Sequence, residues 1–145
     1  MTDLELARAE RERLGLALAI ARDGEVIATG NRGGVADLLE MLRRTDLELA
    51  GASLSDRVVG RAAAMLARCA GIVAVQGGIM SEPAIQALRD AGIPYSAERQ
   101  VPHILNRAGD GMCPMERLCL EQTDPHGCRE AIEAFVARQA SRARP

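Results

Sequence analysis

The stretch from residue 53 to residue 83 constrains the fold of this chain more strongly than any other part of it. It consists of SLSDRVVGRAAAMLARCAG, then the apolar run IVAVQGGIM, then SEP. The first part predicts a helix that starts near Ser53 or Ser55, because apolar residues recur there at helical spacing. The unbroken apolar character of residues 72–76 predicts a buried strand, and the closing SEP predicts the start of a second helix. This alternation is typical of an α/β protein.

The two predicted helix starts would meet at one edge of a sheet. If the first helix lies antiparallel along the strand, its N-terminus lies over the strand's C-terminal end, where the second helix begins. Helix N-termini carry partial positive charge and free backbone N–H groups, so this place favours a polar or anionic ligand. The predicted ligand-binding residues are Asp56, Arg57, Gly77, Gly78, Ser81, Glu82 and Arg107.

A structural interpretation competes with this ligand site. Ser81 and Asp56 can simply cap helices, as serine and aspartate commonly do. Ser53, with Asp56 three positions later, resembles a capping box. Gly77 and Gly78 favour the ligand site, because residues without a side chain let a ligand approach the strand end closely.

Composition bounds the class of protein. The 145 residues suit one domain, and 48% apolar with 26% charged residues is ordinary for a globular chain. Tyr95 and Phe135 are the only aromatic residues, which argues against binding of single-stranded nucleic acid by base stacking. The net charge of −2 indicates no general affinity for nucleic acid or for an anionic membrane. All 18 basic residues are Arg, so mechanisms that need a lysine are excluded.

The sequence predicts a cytoplasmic protein. No apolar run approaches the ~20 residues that span a bilayer, and the charged N-terminus lacks the apolar region of a signal peptide. In that compartment the four cysteines are expected as reduced thiols rather than disulfides.

Local signals predict the remaining elements of a single domain over residues 1–145. Asp23-Gly24 between two apolar runs indicates a β-hairpin, and the order along the chain predicts a mixed sheet. The other predicted elements are a charged helix or arm over residues 1–13, a helix over 35–44, a helix from Ser81 and Pro83 to Gly92, a strand over 95–101, helices that begin at Pro114 and Pro125, and a disordered tail over 139–145.

Cys113 is a second candidate for chemistry. In GMCPME, Pro114 suits the first position of a helix, which puts Cys113 at the N-cap, where a thiolate would accept backbone N–H bonds. Glu116 is expected to reach back to it as in a capping box. Cys113 and Glu116 are therefore the candidate catalytic residues, although a cap with a buried thiol explains the same pattern.

Two more cysteines follow Cys113. Cys119 and Cys128 extend the pattern to C-x5-C-x8-C, a cluster that could hold zinc or an iron–sulfur cluster. The spacing matches no standard site, and free cysteines often face the core. We therefore expect no cofactor and keep a metal site at Cys113, Cys119 and Cys128 as the alternative.

Three separated blocks resemble a known family. SDRVVGRAAAML, GIVAVQGGIMSEPAIQALRDAGIPY and GMCPMERL are similar to an uncharacterised prokaryotic domain-of-unknown-function family that is assigned to the cytidine-deaminase-like fold. The resemblance covers roughly residues 14–120. It implies a three-layer α/β/α sandwich with a mixed sheet, whose ligand site lies where two central helices begin.

The residues needed for zinc-dependent deamination are missing from the predicted places. Such enzymes need H-x-E or C-x-E on the first central helix and P-C-x-x-C at the start of the second. This chain has Ser55-Asp56-Arg57 and Ser81-Glu82-Pro83 there. We therefore expect a protein that binds a polar or nucleotide-like ligand without zinc-dependent deaminase activity.

Two other functions remain open from the sequence. One is a thiol-based enzyme or a metal or sulfur carrier that uses Cys113 with Cys119 and Cys128. The other is an interaction module whose Ala- and Met-rich faces pack against a second copy to form a homodimer. The residues leave open whether any reaction is catalysed.

Overall fold

The computed structural model describes residues 1–143 as alternating helices and strands around one sheet. In chain order the elements are α1 (Asp3–Leu14), β1 (Leu18–Arg22), β2 (Glu25–Gly30), α2 (Gly34–Arg43), β3 (Ser53–Val59), α3 (Arg61–Ala70), β4 (Ala74–Ser81), α4 (Glu82–Asp90), β5 (Tyr95–Val101), α5 (Pro114–Cys119) and α6 (Pro125–Ala143). None of these helices is both long and apolar enough to cross a bilayer.

The five strands form one mixed sheet in the order β2-β1-β3-β4-β5. β1 is antiparallel to β2 and to β3, while β3, β4 and β5 run parallel. Because α3 follows β3 and α4 follows β4, both helices begin at the C-terminal edge of these parallel strands. The mixed sheet predicted from the sequence is therefore confirmed.

Helices cover the two faces of the sheet unequally. Alternation along β1 directs Leu18 and Ile20 to one face and the two alanines, Ala19 and Ala21, to the other. The first face carries the main core, to which α2, α3, α4 and α6 contribute. On the second face α1 packs through Ala7 against the two alanines. Small side chains there let α1 lie close to the sheet.

β3 corrects the main secondary-structure prediction. Residues 53–59 form a central strand rather than the first turns of a helix, and α3 begins only after Gly60, its N-cap. Ser53 and Asp56 are therefore not a capping box. The reason is that the polar side chains of β3 find partners inside the fold: Ser55 Oγ donates to Gln76 Oε1 at 2.6 Å and accepts from Arg11 Nε at 2.9 Å.

β4 is longer than predicted and shifted along the chain. It spans Ala74–Ser81 rather than residues 72–76, so Gly77 and Gly78 lie inside the strand. A Cβ atom on Gly78 would come within 2.7 Å of the backbone oxygen of Arg57 on the neighbouring strand. Gly78 thus serves the close approach of β3 and β4.

The remaining local predictions agree with the structure, apart from the C-terminus. Asp23 and Gly24, both with positive φ, form the hairpin turn, Gly71 ends α3, and β5 has the predicted bounds. The tail predicted to be disordered, 139–145, overlaps α6, which continues through Ala143; residues 144 and 145 lie outside the described part of the chain.

Candidate functional site

A cavity of about 490 Å³ lies where α2, α3 and α5 begin. Gly33 and Gly60, the N-caps of α2 and α3, form part of its wall. We call this cavity the cleft. Its lining residues are Arg32, Gly33, Val35, Ala36, Val58, Gly60, Ala62, Ala63, Ile104, Arg107, Cys113, Met115, Glu116, Val136 and Gln139. It combines apolar side chains with a few polar groups, as ligand sites commonly do.

Glu116 holds the start of α3 from a distant part of the chain. It is 2% exposed, and its Oε1 and Oε2 accept from the backbone N–H groups of Arg61 and Ile104, each at 2.7 Å. Gly60 has no side chain to cap the helix, and a Cβ there would lie 3.1 Å from Ile104 Cγ1. Gly60 leaves room for Ile104 at the start of α3, and Glu116 of α5 binds both Arg61 and Ile104. As a result, α3 and α5 lie close to the loop between β5 and α5.

Two backbone donors in the first turn of α3 have no acceptor within residues 1–143. The first N–H groups of a helix have no partner within the helix. Glu116 satisfies Arg61, and the Ala64 N–H donates to the Gly60 oxygen. Within residues 1–143, the N–H groups of Ala62 and Ala63, which line the cleft, donate to no protein atom. They are available to an anionic or carbonyl oxygen of a ligand.

Asp37 shapes the other helix start at the cleft. This carboxylate is 4% exposed and accepts from the backbone N–H groups of Arg32 at 3.1 Å and Gly33 at 3.0 Å. It also accepts from Arg32 Nε at 3.3 Å. A Cβ on Gly30 would overlap the carboxylate, at 2.3 Å, so the loop can wrap around Asp37 only with glycine there. The result holds Arg32 at the cleft.

Cys113 is the N-cap of α5, as predicted, but its thiol caps nothing. The side chain makes no capping hydrogen bond, while its backbone N–H donates to the Ile104 oxygen at 2.8 Å. Glu116 does not return to Cys113, because its two oxygens serve Arg61 and Ile104. The predicted capping box is therefore wrong. The half-buried thiol lines the cleft instead.

Asp56 lies in the sheet and not on the wall of the cleft. It is 1% exposed; Oδ1 accepts from the Val58 N–H at 3.3 Å, and Oδ2 has no partner among residues 1–143. Burial raises the pKa of this carboxyl to about 7, and the charge of Asp37 adds to the increase, while the Val58 N–H and the charge of Arg11 oppose it. Asp56 is thus largely protonated at slightly acidic pH.

The structure brings only part of the predicted site together. Arg107, Cys113 and Glu116 line the cleft. Arg57 is exposed outside it, and Ser81 is fully buried as the cap of α4, accepting from the Ala84 N–H at 3.3 Å. Glu82 lies on a separate shallow groove beside His103.

Sequence reasoning missed the residues at the two helix starts of the cleft, Arg32, Gly33, Gly60, Ala62 and Ala63. A glycine directly before a helical pattern was the available signal, because glycine is an accepted N-cap. The apolar pattern before Arg61 concealed the boundary at Gly60.

The other cysteines lie apart from the cleft. Cys119 and Cys128 are fully buried with their sulfurs 3.3 Å apart, and Cys69 Sγ lies 3.1 Å from the backbone oxygen of Pro125. No group of three His, Cys, Asp or Glu side chains within residues 1–143 is placed to hold a metal ion. The alternative metal site at Cys113, Cys119 and Cys128 is therefore not assembled, because Cys113 does not join the other two.

Comparison with known proteins identifies relatives over most of the chain. A family model described as a domain of unknown function (DUF1893, TM1506) matches residues 9–136. The crystal structure of a DUF1893 family protein, TM1506 from Thermotoga maritima, is similar with a TM-score of 0.80 and 27% sequence identity, over 95% of this chain and 91% of that one. The curated proteins contain no match to the chain.

Proposed function

This chain belongs to the DUF1893 family, and we propose that it binds a small anionic, nucleotide-like ligand in the cleft without zinc-dependent deaminase chemistry. The observation that carries the proposal is that Ala62 and Ala63, whose N–H groups have no acceptor within residues 1–143, line a cavity of about 490 Å³. A helix N-terminus with free donors favours a phosphate or carboxylate.

Charge and shape at the cleft support an anion with an attached apolar group. Arg107 is exposed at the cleft, and within residues 1–143 its guanidinium makes no ion pair, so it can bind a ligand oxygen. Val58, Ile104 and Val136 form an apolar wall beside it. An anionic group would lie against α3, with the less polar part of the ligand along this wall.

The fold is proposed to be cytidine-deaminase-like. The sequence blocks described above support this, as does a mixed five-stranded sheet whose antiparallel hairpin precedes three parallel strands. In that fold the ligand site lies where two central helices begin. Of the two helices to which the sequence assigned this role, α3 begins at the cleft, whereas the start of α4 does not line it. The resemblance and the free N–H groups thus share the start of α3, which meets the start of α2 at the cleft.

The residues at these helix starts do not fit a deaminase zinc site. α2 begins with Gly34-Val35-Ala36-Asp37 and α3 with Arg61-Ala62-Ala63-Ala64, so neither first turn offers a His or Cys ligand. Asp37 is already bonded to the loop before α2.

Arg107→Ala tests this proposal against a matched arginine. Titration of the protein with inorganic phosphate, AMP and CMP should identify a binding nucleotide, and Arg107→Ala should weaken it about tenfold, which is ~1.4 kcal/mol. Arg57→Ala, which removes an exposed arginine outside the cleft, should leave the affinity unchanged. Equal losses in both variants, or no binding by any of the three probes, would refute the site.

A second candidate function uses Cys113 as a nucleophile on a ligand in the same cleft. Its half-buried thiol is the one cysteine side chain of residues 1–143 that lines the cleft. Alkylation of Cys113 should then be slowed by the bound nucleotide. This function fails if the nucleotide leaves the alkylation rate of Cys113 unchanged and if that rate rises with pH around the ordinary thiol pKa near ~8.5.

A further inference from the structure

Cys119 and Cys128 form a sulfur pair that neither the cleft nor the proposed ligand uses. Cys119 is the last residue of α5, and Cys128 lies in the first turn of α6. Their Sγ atoms are 3.3 Å apart and share a hydrogen bond, although the residues are nine positions apart in sequence. Both side chains are fully buried.

We propose that Cys119 and Cys128 are a redox-active dithiol, which closes to an intramolecular disulfide when the protein meets a peroxide. The sulfurs must approach from 3.3 Å to about 2.0 Å for the bond to form. No other cysteine of residues 1–143 has a thiol partner within hydrogen-bond distance.

The surroundings of the pair favour one thiol as the attacking group. The hydrogen bond with Cys119 lowers the pKa of Cys128; burial opposes this, and the positive charge of Arg61 contributes in the same direction as the hydrogen bond. The same hydrogen bond and burial raise the pKa of Cys119. Arg61 is held next to the pair because its Nε donates to the backbone oxygen of Cys119 at 2.8 Å. Cys128 is therefore the thiol that ionises first.

The oxidation balances with one peroxide for each pair. The Cys128 thiolate attacks a peroxide oxygen, the O–O bond breaks, and Cys128 becomes a sulfenic acid while hydroxide leaves and takes up the proton of the original thiol. The Cys119 sulfur then attacks the Cys128 sulfur, the S–O bond breaks, and a second water leaves with the Cys119 proton. Two electrons pass from the sulfurs to the peroxide, so two thiols and one hydrogen peroxide give one disulfide and two waters.

The bridge would fasten two walls of the cleft to each other. α5 contributes Met115 and Glu116 to the cleft, and α6 contributes Val136 and Gln139. In the reduced protein, Cys119 and Cys128 connect these helices only by a sulfur hydrogen bond and packing. A covalent bond between them restricts the separation of α5 from α6.

Counting thiols in the purified full-length chain tests the dithiol directly. The protein is treated with hydrogen peroxide, unfolded, alkylated with N-ethylmaleimide and weighed by mass spectrometry. The variant Cys69→Ser with Cys113→Ser leaves the buried pair intact and removes the two partly exposed thiols. After oxidation, the number of alkylated cysteines in this variant should fall from two to zero, and the protein itself should be lighter by two hydrogens. Dithiothreitol should restore both thiols.

Peptide mapping and thermal unfolding complete the test. The mapped cross-link should join Cys119 to Cys128, and adding Cys128→Ser to the double variant should abolish it. The oxidised double variant should melt about 5–10 °C above the reduced one, because the bridge restricts the unfolded chain. Two thiols that remain alkylatable, a gain of oxygen without a bridge, or, in the wild-type chain, a bridge from Cys128 to Cys69 would each overturn the proposal.

Discussion

Single residues of this protein place titratable groups in its interior, and Asp56 is the clearest case. Its pKa is raised from 3.8 to about 7, mainly by burial. The folded state therefore holds the Asp56 proton over a pH range in which the unfolded state has lost it. This contribution to stability is fully present below about pH 4 and is lost as the pH rises through 7.

Asp56→Asn should remove this pH dependence. As the pH rises from 4 to 8, the wild type should lose at most about 4 kcal/mol of unfolding free energy relative to the variant. This limit follows because one pKa unit corresponds to ~1.4 kcal/mol. Urea denaturation across that range measures the loss. The exposed Asp90→Asn serves as the control for the same change of residue type at the surface. A flat difference for Asp56→Asn would show that its carboxyl is charged in the folded protein.

Glu116 is the other residue whose replacement is informative. Glu116→Gln keeps one accepting oxygen but turns an N–H donor toward either Arg61 N or Ile104 N, so one buried bond is lost. We expect a loss of roughly 1–3 kcal/mol in unfolding free energy. The exposed Glu82→Gln should change it little. Equal urea midpoints for the two variants would contradict the role assigned to Glu116.

Sequence reasoning failed where a polar side chain finds its partner far along the chain. Ser55 and Asp56 suggested helix caps because such residues usually accept from nearby backbone. In the structure Ser55 is bonded to Arg11 and Gln76, which are 44 and 21 positions away. No local pattern contains that information.

At the scale of elements, β3 and β4 pack closely because Gly78 has no side chain where the two strands meet. Gly78→Ala should destabilise the protein by about 1–3 kcal/mol, because the added Cβ would lie 2.7 Å from the Arg57 oxygen and backbone cannot easily move. Thermal unfolding measures the effect. Gly111→Ala is the matched control, since its nearest neighbour is a side-chain nitrogen of Asn106 at 3.4 Å. A Gly78→Ala protein as stable as the control would show that β3 and β4 can separate freely.

Elements whose ends are marked by turn or cap residues were predictable from the sequence, and elements without such signals were not. The hairpin turn, α4 with its Ser81 cap and Pro83, and β5 were all predicted because their signals lie within a few residues. β3 was missed because the helical spacing of α3 extends backward by chance to Val58. Gly60 marks the true boundary.

At the scale of the whole molecule, the mixed α/β architecture followed from the order of apolar runs, whereas the cleft did not. The cleft requires α2, α3 and α5 to meet, and these helices come from residues 34 to 119. The sequence predicted that helix starts converge at the sheet edge. It paired α3 with α4, because a single predicted strand lies between them, and the packing that selects α2 and α5 is not local.

The carboxylate of Glu116 has a consequence for the order in which the protein matures. It contacts Arg61 across 55 positions of sequence. A nascent chain released only as far as β5 already contains all five strands but lacks the group that caps α3. Because synthesis proceeds from the N-terminus, the sheet can assemble on the ribosome before the cleft exists. The cleft is thus completed last, when α5 and α6 emerge and pack onto the rest of the fold.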